Sequence, residues 1–376
     1  MRTCSLLLVL FLSLMAASLS AQRQKVTINP STPEGQLLQR VTEESDDAKK
    51  VALMEQFLAQ YPKHEGAVWV YSQMVASCAK LGQFDKVMAA AEKLLALDAA
   101  DLETAAAAVR AAGEKKDPDA VRKWAVQCSD LARKVAQAPK TEDEDNDAFK
   151  QRVDYAKRMD AFTEYALFAS VGQVPEAAKK GELLKTLEER DPESTYLSQG
   201  YGLYFLALVQ SGDTPAAVAV AEKRIAQGQG NELMLATAGD FYLRQNREPQ
   251  KVLDYSSKLL ELVNTKPKPE GVSDADWQKS KDYFLASGQW MTGVVYCSQG
   301  KFGEADKVLR AALPLLEGND ADKAGALFNL GVANSRLKKL ADAIKFFEQC
   351  VAIKSPYQAT CTDHLKAIRS TYRVVK

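Results

Sequence analysis

Histidine is the side chain most often used for acid–base chemistry and metal binding near neutral pH. It occurs only twice among the 376 residues, as His64 and His364. Cys361 precedes His364 by three residues, so the two could share a helix face as a thiol–imidazole pair or as two metal ligands. Neither histidine has a second histidine four places away, the spacing of a helical zinc site. We therefore predict no catalytic residue, no metal site and no cofactor, and interpret His364 as a surface residue of a terminal helix.

The sequence also lacks a convincing motif for binding phosphate or nucleic acid. The glycines Gly228 and Gly230 follow a helical segment with no strand before them, which indicates a turn rather than a phosphate-binding loop. Acidic pairs such as Glu188 and Glu189 lie where exposed helix faces are expected. Lys plus Arg and Asp plus Glu both number 49. This balance provides no dominant attraction for a polyanion, so we expect no nucleic-acid partner.

The first 21 residues have the layout of a secretory signal peptide. Arg2 is followed by an apolar core from Leu6 to Met15 and then by small residues, with cleavage after Ser20 or after Ala21. The alternative is a buried N-terminal helix. No later stretch has eighteen uninterrupted apolar residues, so we expect no stable membrane span. The predicted location is therefore exported, either periplasmic or secreted after cleavage.

Five cysteines follow the predicted cleavage site, and an odd number leaves at least one thiol unpaired. Cys350 and Cys361 lie near the facing ends of two expected helices joined by a turn at Ser355 and Pro356. Because an exported chain meets an oxidising compartment, these two form the one disulfide that we consider. The alternative is that all five cysteines are small buried residues on helix faces.

The elements that carry these residues are revealed by an internal repeat. Residues 293–312 read GVVYCSQGKFGEADKVLRAA, and residues 331–350 read GVANSRLKKLADAIKFFEQC. Small and large residues align between the two segments at an interval of 38 residues. A period of this size is typical of stacked helical hairpins.

Earlier segments carry a recurring mark at the start of the second helix of each hairpin. The mark is a residue that favours helix initiation, followed two places later by a small residue. Seven such marks begin at positions 84, 117, 174, 214, 248, 302 and 340, and four contain proline in one register. Proline suits a first helical turn, where its missing N–H needs no partner. Gly82, Gly172, Gly212 and Gly300 lie between first and second helices, where we expect a left-handed backbone to end the first helix.

Two of the intervals between marks are long and contain inserts. One insert includes the acidic run TEDEDND at 141–147, and the other is the proline-rich segment at 266–271. We interpret them either as boundaries between three sub-arrays or as sites of lengthened helices. Ser273 begins a new helix, with Asp276 as its capping-box partner. The predicted division is a signal peptide at 1–21, a flexible leader at 22–34, N-terminal hairpins at 35–137, an acidic linker at 138–147, central hairpins at 148–263, a proline-rich connector at 264–272 and a C-terminal pair of hairpins with a capping helix at 273–376.

These residues resemble the tetratricopeptide repeat, in which alternating large and small residues let two antiparallel helices nest closely. The match is specific over about 288–356 and diffuse over 45–262. Asn334 and Lys338 stand where the family has an aromatic residue and a glycine, and Lys251 replaces a small residue. The layout is also similar to exported repeat proteins of bacterial cell envelopes. The resemblance implies an all-α fold, a right-handed α–α superhelical solenoid of helical hairpins.

The resemblance further implies a protein or peptide partner held in a concave groove by the inner faces of the first helices. In this chain the partner-binding residues would be Asp240, Arg244, Trp290, Val294, Phe328 and Arg336. For the charged residues the alternative is a solvated helix face, and for Trp290 it is packing between repeats. We expect a non-enzymatic scaffold. A self-associating structural module of a cell-envelope assembly and, less favoured, an enzyme on a helical-repeat scaffold remain as alternatives, and the sequence does not specify the oligomeric state.

Overall fold

The computed structural model describes residues 28–375, so the predicted signal peptide and the first residues of the predicted leader lie outside the described residues. The described residues contain α-helices and one 3₁₀ turn, Leu313–Leu316, and no strand. The seventeen α-helices of this region are α1 Pro33–Glu43, α2 Asp47–Gln60, α3 Ala67–Lys80, α4 Phe84–Leu97, α5 Leu102–Glu114, α6 Pro118–Gln137, α7 Asn146–Val171, α8 Ala177–Arg190, α9 Thr195–Ser211, α10 Thr214–Ala226, α11 Glu232–Arg244, α12 Pro249–Thr265, α13 Asp274–Ser298, α14 Phe302–Ala312, α15 Asp320–Arg336, α16 Leu340–Val351 and α17 Gln358–Val375.

The chain divides into two compact units, Met1–Ser211 and Gly212–Lys376. In each unit, consecutive helices pack as hairpins and bury their apolar faces against neighbouring helices. Phe57 and Phe205 in the first unit and Phe347 in the second are almost completely buried. A single hairpin could not cover such side chains alone, which is why stability in helical repeats is shared between neighbours. The predicted fold class, an all-α solenoid of helical hairpins, is confirmed.

The predicted starts of the second helices agree with the structure at six of seven positions. Those helices begin at Phe84, Pro118, Thr214, Pro249, Phe302 and Leu340. At the seventh, α8 begins at Ala177, so Pro175 lies in the preceding loop rather than in the first turn.

Most turns that precede a second helix use one residue in the left-handed region, as the sequence predicts. Gly82, Gly212 and Gly300 have φ values of 67°, 80° and 77°. The prediction for Gly172 was wrong, because this residue has φ −70° and stays right-handed. Lys338 occupies the left-handed position of the last hairpin with φ 61°. The backbone N–H of Lys339 then donates to the carbonyl oxygen of Asn334 at 2.9 Å, the long-range bond of a Schellman cap.

The two inserts precede the two longest first helices. Helix α7 has 26 residues and α13 has 25. Ser273 caps α13, because its side chain accepts a hydrogen bond from the backbone N–H of Asp276 at 3.1 Å. The Asp276 carboxylate accepts from the Ser273 hydroxyl at 2.7 Å rather than from the backbone N–H of a capping box.

Glycines allow close packing inside the two repeated hairpins. A Cβ atom on Gly293 would lie 2.4 Å from Cγ of Leu309, and one on Gly331 would lie 2.5 Å from the ring of Phe347. Both separations are too short for carbon atoms, so the family's small residue is required at these positions by the facing side chain of the second helix.

Ion pairs connect successive second helices of the first unit. Lys86 of α4 reaches back to Glu55 of α2, with 2.6 Å between Nζ and Oε1. Glu92 of the same helix accepts from Lys123 of α6 at 3.4 Å. These side chains are solvent-exposed, so each pair contributes little stability on its own but favours one register between neighbouring hairpins.

Candidate functional site

Side chains from three successive first helices of the C-terminal unit meet at Arg244. Its Nε donates to Oδ2 of Asp240 on α11 at 2.6 Å, and an Nη atom lies 3.4 Å from Oδ1 of Asp322 on α15. The guanidinium carbon lies 5.8 Å from the ring centre of Trp290 on α13. The hydrogen bond to Asp240 raises the pKa of Arg244, so the guanidinium stays charged. Asp240, Arg244 and Trp290, three of the predicted partner-binding residues, are thus brought together. We call them and Asp322 the arginine cluster.

Trp290 lies beneath this cluster rather than on its surface. Its side chain is 6% exposed, and its indole N–H has no hydrogen-bond acceptor among the described residues. Gly325 of α15 makes room for it, because a Cβ there would lie 3.4 Å from the indole nitrogen and 3.3 Å from the ring of Tyr357. The tryptophan therefore positions the helices beneath Arg244, as the packing alternative suggested.

Phe328 belongs to an aromatic group at the C-terminal end of the unit. Its ring is stacked on Tyr357 at 5.4 Å between centroids and meets His364 edge-on at 5.7 Å. His364 in turn is stacked on Phe347 at 5.2 Å. Since Tyr357 also borders Gly325, this group continues from the arginine cluster along the last hairpin.

The remaining two predicted residues are not brought to the same place. Val294 is half-buried one turn after Trp290 on α13. Arg336 is exposed in the last turn of α15, fourteen residues after Asp322 and so roughly 20 Å along the helix from it. Asp322 is not among the residues predicted from the sequence to bind a partner. An acidic residue in a first helical turn is normally explained by the helix dipole, and that explanation hides a second role.

A second polar group lies where Lys251 departs from the family pattern. Oε1 of Glu222 on α10 accepts hydrogen bonds from Tyr255 at 2.7 Å, from Tyr242 at 3.0 Å and from Lys251 at 3.0 Å. Burial favours the neutral acid, but these three donors outweigh burial and lower the pKa of Glu222. The lysine therefore has a carboxylate partner on the preceding hairpin, and the group connects α10, α11 and α12.

Cys350 at the end of α16 and Cys361 in α17 form a disulfide, with their Cα atoms 6.2 Å apart. Cys361 is thus not a free thiol beside His364, and these two residues do not form a nucleophile pair. Cys78, Cys128 and Cys297 are unpaired and buried. Burial raises the pKa of Cys128 to about 12, which keeps its thiol protonated and unreactive at neutral pH.

The described residues provide neither a metal-binding group nor a membrane-spanning helix. Between residues 28 and 375, no group of three or more His, Cys, Asp or Glu residues is arranged to hold a metal ion. Within the same range, none of the helices is long and apolar enough to cross a bilayer.

Comparison with known proteins gives a family match that includes Trp290 and Asp322 of the arginine cluster but neither Asp240 nor Arg244. The model of the tetratricopeptide repeat family matches residues 286–355, from the middle of α13 to the turn after α16. No curated protein matches the chain significantly.

Several solved structures resemble the chain at low sequence identity. The Cut9–Hcn1 hetero-tetramer of APC/C is 17% identical, with 91% of this chain and 57% of that chain covered and a TM-score of 0.35. Yeast Tom70 is 12% identical, with 93% of this chain and 67% of that chain covered and a TM-score of 0.36. The apo form of RapI is 10% identical, with 72% of each chain covered and a TM-score of 0.37. At these TM-scores whole chains do not superpose closely, and this chain spans little more than half of the first structure's chain.

The two hairpins that repeat at 38 residues, with their buried glycines and left-handed turns, are the segment that the family model matches. Residues 286–355 of this chain thus match the tetratricopeptide repeat family in sequence as well as in hairpin geometry.

Proposed function

We propose that this chain is a non-catalytic scaffold that binds a segment of a partner protein across the first helices α11, α13 and α15. Tetratricopeptide repeats serve as protein-interaction scaffolds. The observation that carries the more specific proposal is the convergence of Asp240, Arg244, Trp290 and Asp322 from these three helices. A segment lying across successive first helices would contact side chains from each of them.

The charges of the arginine cluster indicate the chemistry of the segment. One guanidinium faces two carboxylates, and the side chains of Arg244 and Asp240 are 59% and 38% exposed. The group therefore has a formal charge of −1, which favours a cationic side chain in the partner. Tyr357 and Phe328, half-buried beside it, offer aromatic faces of the kind that attract cations. We infer that the partner segment carries a lysine or arginine flanked by apolar residues.

Site-specific photo-crosslinking in the native host tests the binding face. A photoreactive residue at Arg336, exposed on α15, is expected to yield a covalent adduct with a partner protein. The matched control is Lys345, exposed on α16, the second helix of the same hairpin. Equal yields of adduct from both positions would contradict a preference for the first helices.

A second experiment tests the cluster itself, with the peptide of the partner recovered from the adduct. Asp322→Asn removes the unbalanced negative charge with little change in shape. Calorimetry is expected to show about tenfold weaker binding to the peptide, a loss typical of a desolvated charge contact. Glu304→Asn on α14, an exposed acidic residue of a second helix, is the control. Unchanged affinity of the Asp322 variant would remove the cluster from the proposed interface.

We further propose that the chain is exported. The apolar core from Leu6 to Met15 and the small residues after it support this, as does the Cys350–Cys361 disulfide, because such bonds persist mainly in oxidising compartments. Intact mass measurement of protein purified from its host is expected to place the N-terminus at Ala21 or Gln22 with the disulfide formed. A retained Met1, together with reduced thiols at both Cys350 and Cys361, would contradict export.

Self-association in a cell-envelope assembly is the second candidate function, and an enzyme is the third. Adducts formed only between copies of this chain in the crosslinking experiment would favour the assembly module. A turnover abolished by Asp240→Asn would favour an enzyme.

A further inference from the structure

Helix α9 leaves an apolar face exposed at the end of the first unit. Its seventeen residues, TYLSQGYGLYFLALVQS, include no charged side chain. Leu203, Leu206 and Val209 are 48%, 40% and 38% exposed, and their spacing of three residues places them on one side of the helix. Exposed apolar side chains gathered on one face mark interaction surfaces, whereas single ones do not.

The apolar face continues onto α7. The ring of Tyr196, in the first turn of α9, lies 5.7 Å from the ring of Tyr165, which is itself 48% exposed. Phe162 precedes Tyr165 by one helical turn, and the guanidinium of Arg110 on α5 lies over its ring at 5.4 Å. The residues of this apolar row are Phe162, Tyr165, Tyr196, Leu203, Leu206 and Val209.

Arginine side chains border the row at its α7 end. Arg158 is exposed one turn before Phe162 and lies 5.8 Å from the ring of Tyr155. Within residues 28–375, no carboxylate lies within ion-pair distance of Arg158, and Arg110 has only Glu103, at 3.8 Å. The row itself has no acidic member. The charge of Arg158, at one end of the row, therefore has no ion-pair partner among the described residues.

We propose that the apolar row binds an amphipathic helix of a partner protein, with its apolar stripe on α9 and an acidic side chain at Arg158. A helix stripe with a period of three to four residues matches the spacing of Leu203, Leu206 and Val209. A second copy of the chain fits less well, because neither row has a carboxylate that could pair with Arg158 of the other copy. This surface is independent of the arginine cluster in the other unit.

Three synthetic helical peptides of the same length test the proposal by fluorescence anisotropy with the full chain. The first combines a leucine stripe with glutamates, the second has lysines in place of the glutamates, and the third has the stripe replaced by glutamine. The glutamate peptide is expected to bind about tenfold more tightly than the lysine peptide, and the glutamine peptide is expected not to bind. Equal binding of all three would overturn the proposal.

Variants then locate the binding on the surface. Leu206→Asp is expected to weaken binding of the glutamate peptide at least about tenfold. Leu97→Asp, at an exposed leucine of α4, is the matched control and should change nothing. Arg158→Glu is expected to reverse the order of the glutamate and lysine peptides, whereas Lys93→Glu on α4 should leave it unchanged. Equal losses from Leu206→Asp and Leu97→Asp, or an unchanged order in the Arg158 variant, would overturn the proposal.

Circular dichroism establishes that each variant is folded before binding is compared, and Arg244→Glu should bind the glutamate peptide like the unaltered chain. Light scattering tests whether a second copy of the chain, rather than a partner helix, occupies the apolar row. A dimer of the unaltered chain that Leu206→Asp converts to monomer would assign the row to self-association and overturn the proposal.

Discussion

Asn334 donates a hydrogen bond through Nδ2 to Oδ1 of Asp306 at 2.6 Å, and both side chains are buried. Asn334 stands where the family has an aromatic residue, so a polar contact replaces an apolar one between the last two hairpins. Arg310 completes the group, since it donates to the same Asp306 oxygen at 2.8 Å and to Asp342 at 2.7 Å. The charge of a buried carboxylate is thereby compensated.

Asp306→Ala is expected to destabilise the C-terminal unit by about 3 kcal/mol, because one N–H of the buried Asn334 amide loses its acceptor, while the amide keeps its bond to the Leu330 carbonyl. Asn334→Ala should lower the free energy of unfolding by less than Asp306→Ala does. The double variant should lower it by less than the sum of the two single losses. Urea denaturation followed by circular dichroism provides the three values for a double-mutant cycle. Additivity within about 0.5 kcal/mol would contradict direct coupling of the pair.

The group around Glu222 should make stability depend on pH. Its folded-state pKa is lowered from the ordinary value of 4.5, so its contribution is present above pH 4.5 and is lost as the pH falls through the folded pKa. Glu222→Gln is therefore expected to flatten the decline of the thermal midpoint below pH 4.5. Glu304→Gln, at an exposed position on α14, should leave the decline unchanged. Parallel curves for Glu222→Gln and the unaltered chain would contradict the assignment.

At high pH the same group should lose stability through Tyr255. Burial and then the hydrogen bond to Glu222 raise the pKa of this phenol above its ordinary value of 10.0. The contribution is fully present below pH 10.0 and falls as the pH rises through the folded pKa. Tyr255→Phe is expected to reduce the dependence of the thermal midpoint on pH above 10. A dependence as steep as that of the unaltered chain would exclude the role.

Gly331→Ala is expected to cost about 1–3 kcal/mol, because the added methyl group would overlap the buried ring of Phe347. Gly303→Ala in α14 is the control. No atom lies within 4 Å of the added carbon there, so the change should be neutral or slightly stabilising. Chemical denaturation of both variants measures the difference, and similar values for the two would contradict the packing argument.

Loss of the Cys350–Cys361 disulfide should destabilise the end of the C-terminal unit by about 3 kcal/mol, the value expected for closing a loop of this length. The double alanine variant and the reduced unaltered chain should unfold at similar denaturant concentrations. Reductant should not affect the variant. A variant as stable as the oxidised chain would show that α17 is held by packing alone.

The hairpins themselves follow from local sequence. Prolines and helix-capping residues mark the starts of second helices, and glycines at 82, 212 and 300 mark the turns. Lys116, Asn246 and Lys338 adopt the same left-handed backbone without being glycine, with φ values of 57°, 51° and 61°. The repeat interval, rather than residue type, identifies such turns. The prediction of a left-handed backbone at Gly172 was wrong because it relied on residue type alone. Glycine permits a left-handed backbone but does not require one.

The arginine cluster could be predicted in part. Asp240 and Arg244 are four residues apart, and a helix brings that spacing together. Asp322 lies 78 residues after Arg244, and only tertiary packing joins them. The division between the two compact units at Ser211 coincides with neither insert, so composition did not indicate it.

The apolar row was missed although a signal for it exists. Seventeen residues without a charge at 195–211 are unusual for a helix with an exposed face. Hydrophobicity on every side of a helix normally indicates complete burial, and the periodicity of the sequence does not show which side of α9 is left exposed.

Helix α4 carries both kinds of connection to its neighbours, a lysine toward α2 through Glu55 and a glutamate toward α6 through Lys123. Helix α6 has the same arrangement, with Lys123 paired toward α4 and Asp119 paired toward Lys179 of α8. Tandem duplication or loss of a whole unit during evolution would therefore leave compatible partners at the new junction. The number of repeats in this region could change in descendants without requiring compensating mutations at every joint.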